Sequence, residues 1–442
     1  MFDLLISGCD VLVRKDGGHV VEEDRDIAIT GNRISAIEKA GRIDRGQTRE
    51  FIDVTGQLAI PGLINCHAHA PMVLFRGLAE DVPLESWFND YIWPLEVNLE
   101  AEDVYWGMLL GLAEMIQSGV TTIADHYFYC DQMAQAVDEA GTRANIVWAM
   151  FGAEGQAKID ETSEFVKRWQ GGAGGRITTW LGPHSPYTCD EAFLRASAAR
   201  AKELGVGIHT HCSETHEQRE RSLKAHGITP VEMLKRAGVL DVPVLLAHGV
   251  GMTPDDIALL GAHDAALAQC PKTYQKLATG TALVREFRTA GVPVGMGTDG
   301  AVSSNTLDIL EQMRALALDH KQTFGDATRM PIQDLLDIAY RGGAAALRLP
   351  DIGELAPGKL ADIALLRQDG AHVFPRHDPL ANLIYSQRAG DVDTVICNGK
   401  TLMRFGRLLT IDLQRVRSEL HGRLSRLRQR AHDKRLATYP TS

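Results

Sequence analysis

The sequence predicts an α/β protein: a (β/α)8 TIM barrel with a small β-sandwich domain built from both chain ends. Two observations carry this reading. From Leu58 to about residue 350, compact apolar runs of strand length alternate with amphipathic stretches at helical spacing. Eight such strand–helix pairs spell a parallel barrel. On either side of that region, short apolar runs are separated by turn signals instead, which is the pattern of small β-strands joined by tight turns.

In chain order, residues 1–57 carry the turn signals Asp16-Gly17-Gly18, Thr30-Gly31-Asn32 and Thr55-Gly56, and form the N-terminal part of the small β domain. Residues 58–350 form the barrel. Its strands are expected at Leu58–His67, Thr121–Asp125, Ala144–Met150, Ile177–Ser185, Val206–Cys212, Val242–Gly249, Ala265–Pro271 and Val292–Asp299. Apolar residues recur at helical spacing in Asp103–Ser118, Asp190–Leu204, Thr281–Ala290 and Leu307–His320. Residues 351–442 return to strand-like runs, Leu360–Leu366 and Val392–Cys397, with the turn Asn398-Gly399-Lys400 beside them. This tail completes the small domain and closes with a charged helix from Asp412 to about Arg435, whose many Arg and Glu side chains read as a solvated face.

Composition narrows the function. The 442 residues are 45% hydrophobic and 23% charged, ordinary for a globular protein. No run approaches 18 apolar residues, and the first residues read as a strand rather than a leader, so neither a membrane partner nor export is expected and the cytoplasm is the default address. A formal charge of −11 argues against a nucleic-acid polymer and for a small neutral or cationic substrate. Seven scattered cysteines without a CxxC pair suggest neither a disulfide framework nor a thiolate zinc site. Cys66 and Cys212 stand out only because each adjoins a histidine of interest.

In such a barrel the catalytic groups gather at the C-terminal ends of the strands. Strand one ends in His67-Ala68-His69, where a spacing of two puts both imidazoles on one side of an extended chain. Strand five ends in His209-Thr210-His211-Cys212-Ser213-Glu214, strand six in His248 and strand eight in Asp299. An isolated HxH is as readily two unrelated histidines, and an Asp after Gly-Thr is commonly a turn former. Their joint placement at four strand ends points to a divalent metal, since three imidazoles and a carboxylate suit zinc and leave a position for water.

The run Pro61-Gly62-Leu63-Ile64-Asn65-Cys66-His67-Ala68-His69, the spacing of His211 and Glu214, the Ala-His-Gly at His248 and the Gly297-Thr298-Asp299-Gly300 turn resemble the amidohydrolase superfamily. Within it they are similar to the deaminases of S-adenosylhomocysteine and methylthioadenosine and to the triazine hydrolases. The resemblance spans nearly the whole chain. It implies His67, His69, His211 and Asp299 as ligands of one divalent ion, zinc or iron(II), with His209 a packed neighbour. It also implies a hydrolytic deamination of an aminated N-heterocycle of the adenosine type, with release of ammonia. Glu214, His248 and Asp299 would carry the chemistry: Glu214 as proton donor to a ring nitrogen, Asp299 as acceptor of the water proton, and His248 as hydrogen-bond donor to the attacking oxygen. Trp87, Glu96 and His184 match substrate-contacting positions; the bland alternative is that Trp87 and His184 are core residues and Glu96 an exposed helix-start acid. His126 is a further candidate to reach the pocket. A homo-oligomer is expected, with a small heterocycle as substrate.

Three departures bear on the site, the first on its metal count and the other two on its substrate. The lysine that two-metal relatives place at the end of strand four is absent from Trp180-Leu181-Gly182-Pro183-His184, which favours a single metal. The strand-seven loop reads Cys270-Pro271-Lys272-Thr273-Tyr274-Gln275-Lys276-Leu277, unlike the relatives, and the arginine expected near the end of strand three is replaced around Trp148. An uncharged adenosine derivative is therefore favoured over S-adenosylhomocysteine. Release of chloride from a triazine or opening of a ring amide in a pterin- or guanine-type heterocycle is the alternative chemistry, and a non-catalytic scaffold the remote one.

Overall fold

The computed structural model describes residues 1–431 and 434–440. Eight parallel barrel strands follow one another in sequence: Leu63–His69, Val120–Tyr127, Arg143–Met150, Ile177–Pro183, Ile208–Cys212, Val244–His248, Ala265–Gln269 and a split eighth strand, Val294–Met296 with Asp299–Gly300. The split closes the barrel. Val294–Met296 pairs with strand seven, whereas Asp299 and Gly300 pair with Ala68 and His69 of strand one. Strands two and three are buried at every position, as expected of parallel strands covered on both faces. Their runs of Val, Ile and Ala form the barrel core, and the surrounding helices, such as Ala101–Gln117 and Ile309–Phe324, cover it with apolar faces.

The apolar run that opens the barrel contains two strands. Leu58–Pro61 belongs to the small domain, where it pairs with Phe2–Lys15 and with Ile363–Leu366, and the chain enters the barrel after Gly62. A Cβ at Gly62 would lie 2.2 Å from the Thr121 hydroxyl, so glycine is needed where the chain changes partners. A continuous apolar run gives no sign of such a change.

The small domain draws its strands from both chain ends into one mixed sheet. Its longest strand, Phe2–Lys15, bulges at Gly8 (φ +78°). The part before the bulge pairs with Thr48–Asp53 and the part after it with Leu58–Pro61, so one strand serves two layers. Leu4, Ile6, Ile27 and Ile52 pack with Ile363, Leu365 and Ile396 in a shared core, so neither chain end can bury its apolar side chains alone. The final helix spans Leu413–Leu427, not to Arg435: it is capped by Asp412 and followed by non-helical chain whose Tyr439 is buried. Positions 432 and 433 of the expected helix lie outside the described residues. Among the described residues no helix is long and apolar enough to cross a membrane.

A buried ion pair fastens the small domain to the barrel. Arg143, at the start of barrel strand three, contacts Asp362 at 3.2 and 3.3 Å, and Asp362 also accepts the Asn398 backbone N–H at 2.6 Å. Breaking such a pair leaves a buried charge without a partner. Asp362→Ala is expected to destabilise the protein by roughly 3–5 kcal/mol, read as a lower denaturation midpoint. His320 offers a second check. Burial, with Arg329 adding, lowers its imidazole from 6.5 to about 4, and neither ring nitrogen has a partner. The unfolded chain takes up this proton first on acidification, so the contribution is intact above pH 6.5 and is lost as pH falls toward 4. His320→Phe should therefore show a smaller drop in melting temperature between pH 7 and pH 5 than the parent.

Candidate metal centre and substrate pocket

The C-terminal ends of strands one, five and eight bring His67, His69 and His211 together with ligand atoms within 4.8 Å of one another, and Asp299 joins them. The Asp299 Oδ1 lies 3.2 Å from His69 Nε2 and 3.7 Å from His67 Nε2, while the Nε2 atoms of His69 and His211 are 3.3 Å apart.

The outer nitrogen of each ring is already engaged. His69 Nδ1 meets the His126 carbonyl at 2.6 Å, His211 Nδ1 meets the His184 carbonyl at 2.8 Å, and His67 Nδ1 meets His209 Nε2 at 2.9 Å. A carbonyl can only accept, so the protons of His69 and His211 sit on Nδ1 and their Nε2 lone pairs face each other. Two lone pairs at 3.3 Å repel, and His67 Nε2 is buried with no hydrogen-bond partner. A cation resolves both. Tetrahedral zinc with ligands near 2.05 Å has ligand–ligand edges of about 3.3 Å. The donor set fits a divalent metal.

Backbone geometry supports the site. Asn65 Nδ2 donates to Thr298 Oγ1 at 2.8 Å and Thr298 N–H donates to Asn65 Oδ1 at 3.0 Å, which locks strand eight against strand one beside the cluster. Ser213 (φ +50°), His248 (φ +82°) and Asp299 (φ +59°) all occupy the left-handed region at strand ends. Strain of this kind in non-glycine residues concentrates where a side chain must be aimed against local preference. Burial opposes ionisation of Asp299, but His69 and the Ser303 hydroxyl at 2.9 Å hold its carboxyl at about 2.

Beside the cluster lies a cleft walled largely by aromatic side chains. Glu214, His248, Trp87, Glu96, His184 and His126 all line it, so the structure brings every sequence-derived candidate to one place. Burial, with Asp299 adding, pushes Glu214 up to about 7; its Oε1 accepts from the Tyr187 hydroxyl at 3.1 Å. Burial likewise lifts Glu96 to about 7, and its partner is the Tyr127 hydroxyl at 2.7 Å. Glu96 is therefore not an exposed helix-start acid. It lies on the helical segment Leu84–Glu96, interrupted by a π-helical turn at Trp87–Ile92, which roofs the cleft. Among the described residues, no Lys or Arg lines the cleft.

The three departures acquire physical meaning here. A Cβ on Gly182 would lie 2.5 Å from Val147 Cγ1 and 2.6 Å from His126 Nε2 and the Trp148 carbonyl, so no side chain fits at this strand-four position. Trp148 stacks under Lys158 away from the cleft, and Ala149 and Phe151 line the pocket at that end. Tyr274 accepts from the Cys270 N–H at 2.9 Å and donates to the His248 carbonyl at 3.4 Å, and thus braces the strained His248 turn. Cys66 and Cys212 are buried thiols raised above their ordinary range by burial, and fill space. Tyr127, Tyr187, Gln218, Ser303 and Tyr439 contact the site or its supports without any signal in the sequence, because isolated hydroxyls and amides have no characteristic spacing.

Residues 58–402 match the amidohydrolase family. The chain is 44% identical to a 5-methylthioadenosine/S-adenosylhomocysteine deaminase of Pelotomaculum thermopropionicum, over 97% of this chain and 99% of that protein. It is 40% identical to a 5'-deoxyadenosine deaminase of Methanothermobacter thermautotrophicus, over 92% and 95% respectively. In structure it resembles an adenosine deaminase from Xanthomonas campestris with bound zinc, with a TM-score of 0.91, 28% identity, and coverage of 97% of this chain and 99% of that one. It also resembles a zinc-complexed atrazine chlorohydrolase from Arthrobacter aurescens, with a TM-score of 0.88, 27% identity, and coverage of 95% and 100%.

His209 holds His67 from behind, and the loss of such a support typically lowers metal affinity roughly 10–100-fold. His209→Ala is expected to bind zinc that much more weakly in competition with a chelator, yet still reach the parent's stoichiometry at saturating metal.

Proposed function

The chain belongs to the amidohydrolase family, and on that premise we propose that it is a mononuclear zinc hydrolase that deaminates an adenosine-type nucleoside and releases ammonia. The observation that carries this reading is the convergence of three imidazole Nε2 atoms and Asp299 beside a buried, proton-bearing Glu214 in one aromatic cleft.

His67, His69, His211 and Asp299 would hold the metal. When bound, the metal lowers the pKa of a water molecule to about 7 and so makes a nucleophile available at neutral pH. Zinc is favoured over iron(II) because three nitrogens and one oxygen suit it, and zinc occupies the similar solved structures. With Gly182 on strand four and His126 in the space beside it, there is no place for a bridging lysine, which supports one ion rather than two.

The remaining work falls to side chains. Glu214, whose carboxyl is half-protonated near pH 7, delivers a proton to a ring nitrogen, which makes the adjacent carbon electrophilic. Tyr187 fixes the orientation of that carboxyl. Asp299 accepts the proton of the attacking water and passes it to the departing amine. His248 donates a hydrogen bond to the oxygen added at that carbon, and its main chain is held by Gln269 at 2.6 Å and by Tyr274. Trp87 packs against the substrate, His184 bounds the pocket floor, and Glu96 accepts from sugar hydroxyls. With no Lys or Arg among the described lining residues, a carboxylate-bearing side group meets no guanidinium or ammonium there, so an uncharged adenosine derivative is preferred to S-adenosylhomocysteine. Seven free, buried cysteines are consistent with a reducing cytoplasmic setting. Self-association into a homo-oligomer completes the proposal and is read directly by light scattering.

Zinc-loaded protein incubated with adenosine, methylthioadenosine, guanine, a pterin and a chlorotriazine should release ammonia fastest from the nucleosides. Chloride from the triazine without ammonia from any of them would replace deamination with dechlorination. Glu214→Gln should keep one metal per chain and lose turnover by roughly 100-fold or more, the scale of general acid–base catalysis; substantial residual turnover would remove Glu214 from its role.

A further inference from the structure

The described C-terminal residues 428–431 and 434–440 pack against the roof of the cleft, and Tyr439 approaches Glu214. Gln429 accepts from Asn98 Nδ2 at 2.6 Å, Arg430 lies 4.5 Å from the Tyr91 ring, and Ala431 N–H donates to the Pro94 carbonyl at 2.9 Å. Further along, Tyr439 is 2% exposed. Its main chain pairs in both directions with Asn89: Tyr439 N–H donates to Asn89 Oδ1 at 2.8 Å, and Asn89 Nδ2 donates to the Tyr439 carbonyl at 3.0 Å.

The ring and the hydroxyl of Tyr439 face different parts of the site. The ring stacks on Phe88 with centroids 5.0 Å apart and planes 5° apart, and Phe88 lines the cleft. The ring also meets Tyr187, the partner of Glu214, edge-on at 5.3 Å. The hydroxyl oxygen accepts from Gln218 Nε2 at 3.2 Å, and Gln218 Oε1 in turn accepts the Glu214 backbone N–H at 2.9 Å. Arg221 reinforces the end of the tail by donating to the Pro440 carbonyl.

We propose that Tyr439 is a positioning residue that couples the substrate roof to the proton-transferring Glu214, through its ring on one side and through Gln218 on the other. The proposal rests on the deaminase reading for the kinetic consequence alone. With the hydroxyl removed, the Gln218 amide loses the partner that sets which of its ends faces Glu214, and the Glu214 turn loosens. With the ring removed as well, Phe88 loses its stacked neighbour and the wall of the cleft relaxes. The two halves of one side chain thus act on different kinetic constants.

Full-length zinc-loaded protein and the variants Tyr439→Phe, Tyr439→Ala, Gln218→Ala and Tyr439→Phe/Gln218→Ala are compared for ammonia release from adenosine. Tyr439→Ala should lower kcat and raise KM, each by about tenfold. Tyr439→Phe should restore KM to within about twofold but leave kcat lowered by about three- to tenfold, the range of one hydrogen bond. Gln218→Ala should lower kcat to a similar extent, and adding Tyr439→Phe to it should change little further. A Tyr439→Ala protein with unchanged KM, or a double variant whose losses multiply, overturns the proposal, since a tail that merely stabilises the fold would reduce only the active fraction. Amide hydrogen exchange supplies a readout independent of turnover. Peptides covering 84–92 and 213–218 should exchange faster in Tyr439→Ala, with only the second affected in Tyr439→Phe. Unchanged protection overturns the coupling even if the parent deaminates nothing, whereas faster exchange in a protein without deaminase activity would retain the coupling and overturn the substrate reading alone.

Discussion

Three imidazoles aimed inward by their outer nitrogens impose the main constraint on this molecule. Hydrogen bonds from Nδ1 to the carbonyls of His126 and His184 leave two Nε2 lone pairs facing each other, beside a buried His67 Nε2 that has no hydrogen-bond partner. Such an arrangement is unfavourable in a water-excluded interior without a cation to share the lone pairs. Around it the structure places its strongest local restraints: the Asn65–Thr298 clasp between strands one and eight, the support of His67 by His209, and left-handed backbone at Ser213, His248 and Asp299. A closed barrel with strands buried on both faces is rigid enough to hold that strain.

The site divides into a stiff half and an adaptable half. The candidate metal donors, Glu214 and His248 sit at or just past strand ends, where backbone pairing limits movement. The cleft wall is built from the interrupted helical segment Leu84–Glu96 and the described C-terminal residues packed on it, so it rests on side-chain contacts more than on a sheet. Burial of Glu96 and Glu214 lifts both carboxyls toward neutrality and each accepts from a tyrosine hydroxyl, but Glu214 also feels the charge of Asp299. Two similar carboxyls can then take separate tasks, one moving a proton and the other accepting hydrogen bonds.

The likeness to both an adenosine deaminase and an atrazine chlorohydrolase has a physical basis in this layout. In the proposed mechanism the strand-end donors would activate water and the walls would select the leaving group. Changes at Ala149, Phe151, Thr273 or Tyr274 alter those walls without touching the donors.

Much of this was legible in the residues. Alternation of apolar runs with helical spacing specified the barrel, because strand and helix periods differ by nearly twofold. Strand ends identified His67, His69, His211, Glu214, His248 and Asp299, because a barrel gathers such ends on one face however distant they are in the chain. Other features became visible only after folding. The run from Leu58 to His67 hid two strands in two domains, since apolar character does not record which sheet a strand joins. The burial of Glu96 against Tyr127, 31 positions away, and the reach of Tyr439 to Gln218, 221 positions away, arise by packing alone. Local composition determines periodicity and chemistry, and those could be read directly. Contacts between distant segments depend on how close-packed surfaces meet, and that information exists only in the assembled fold.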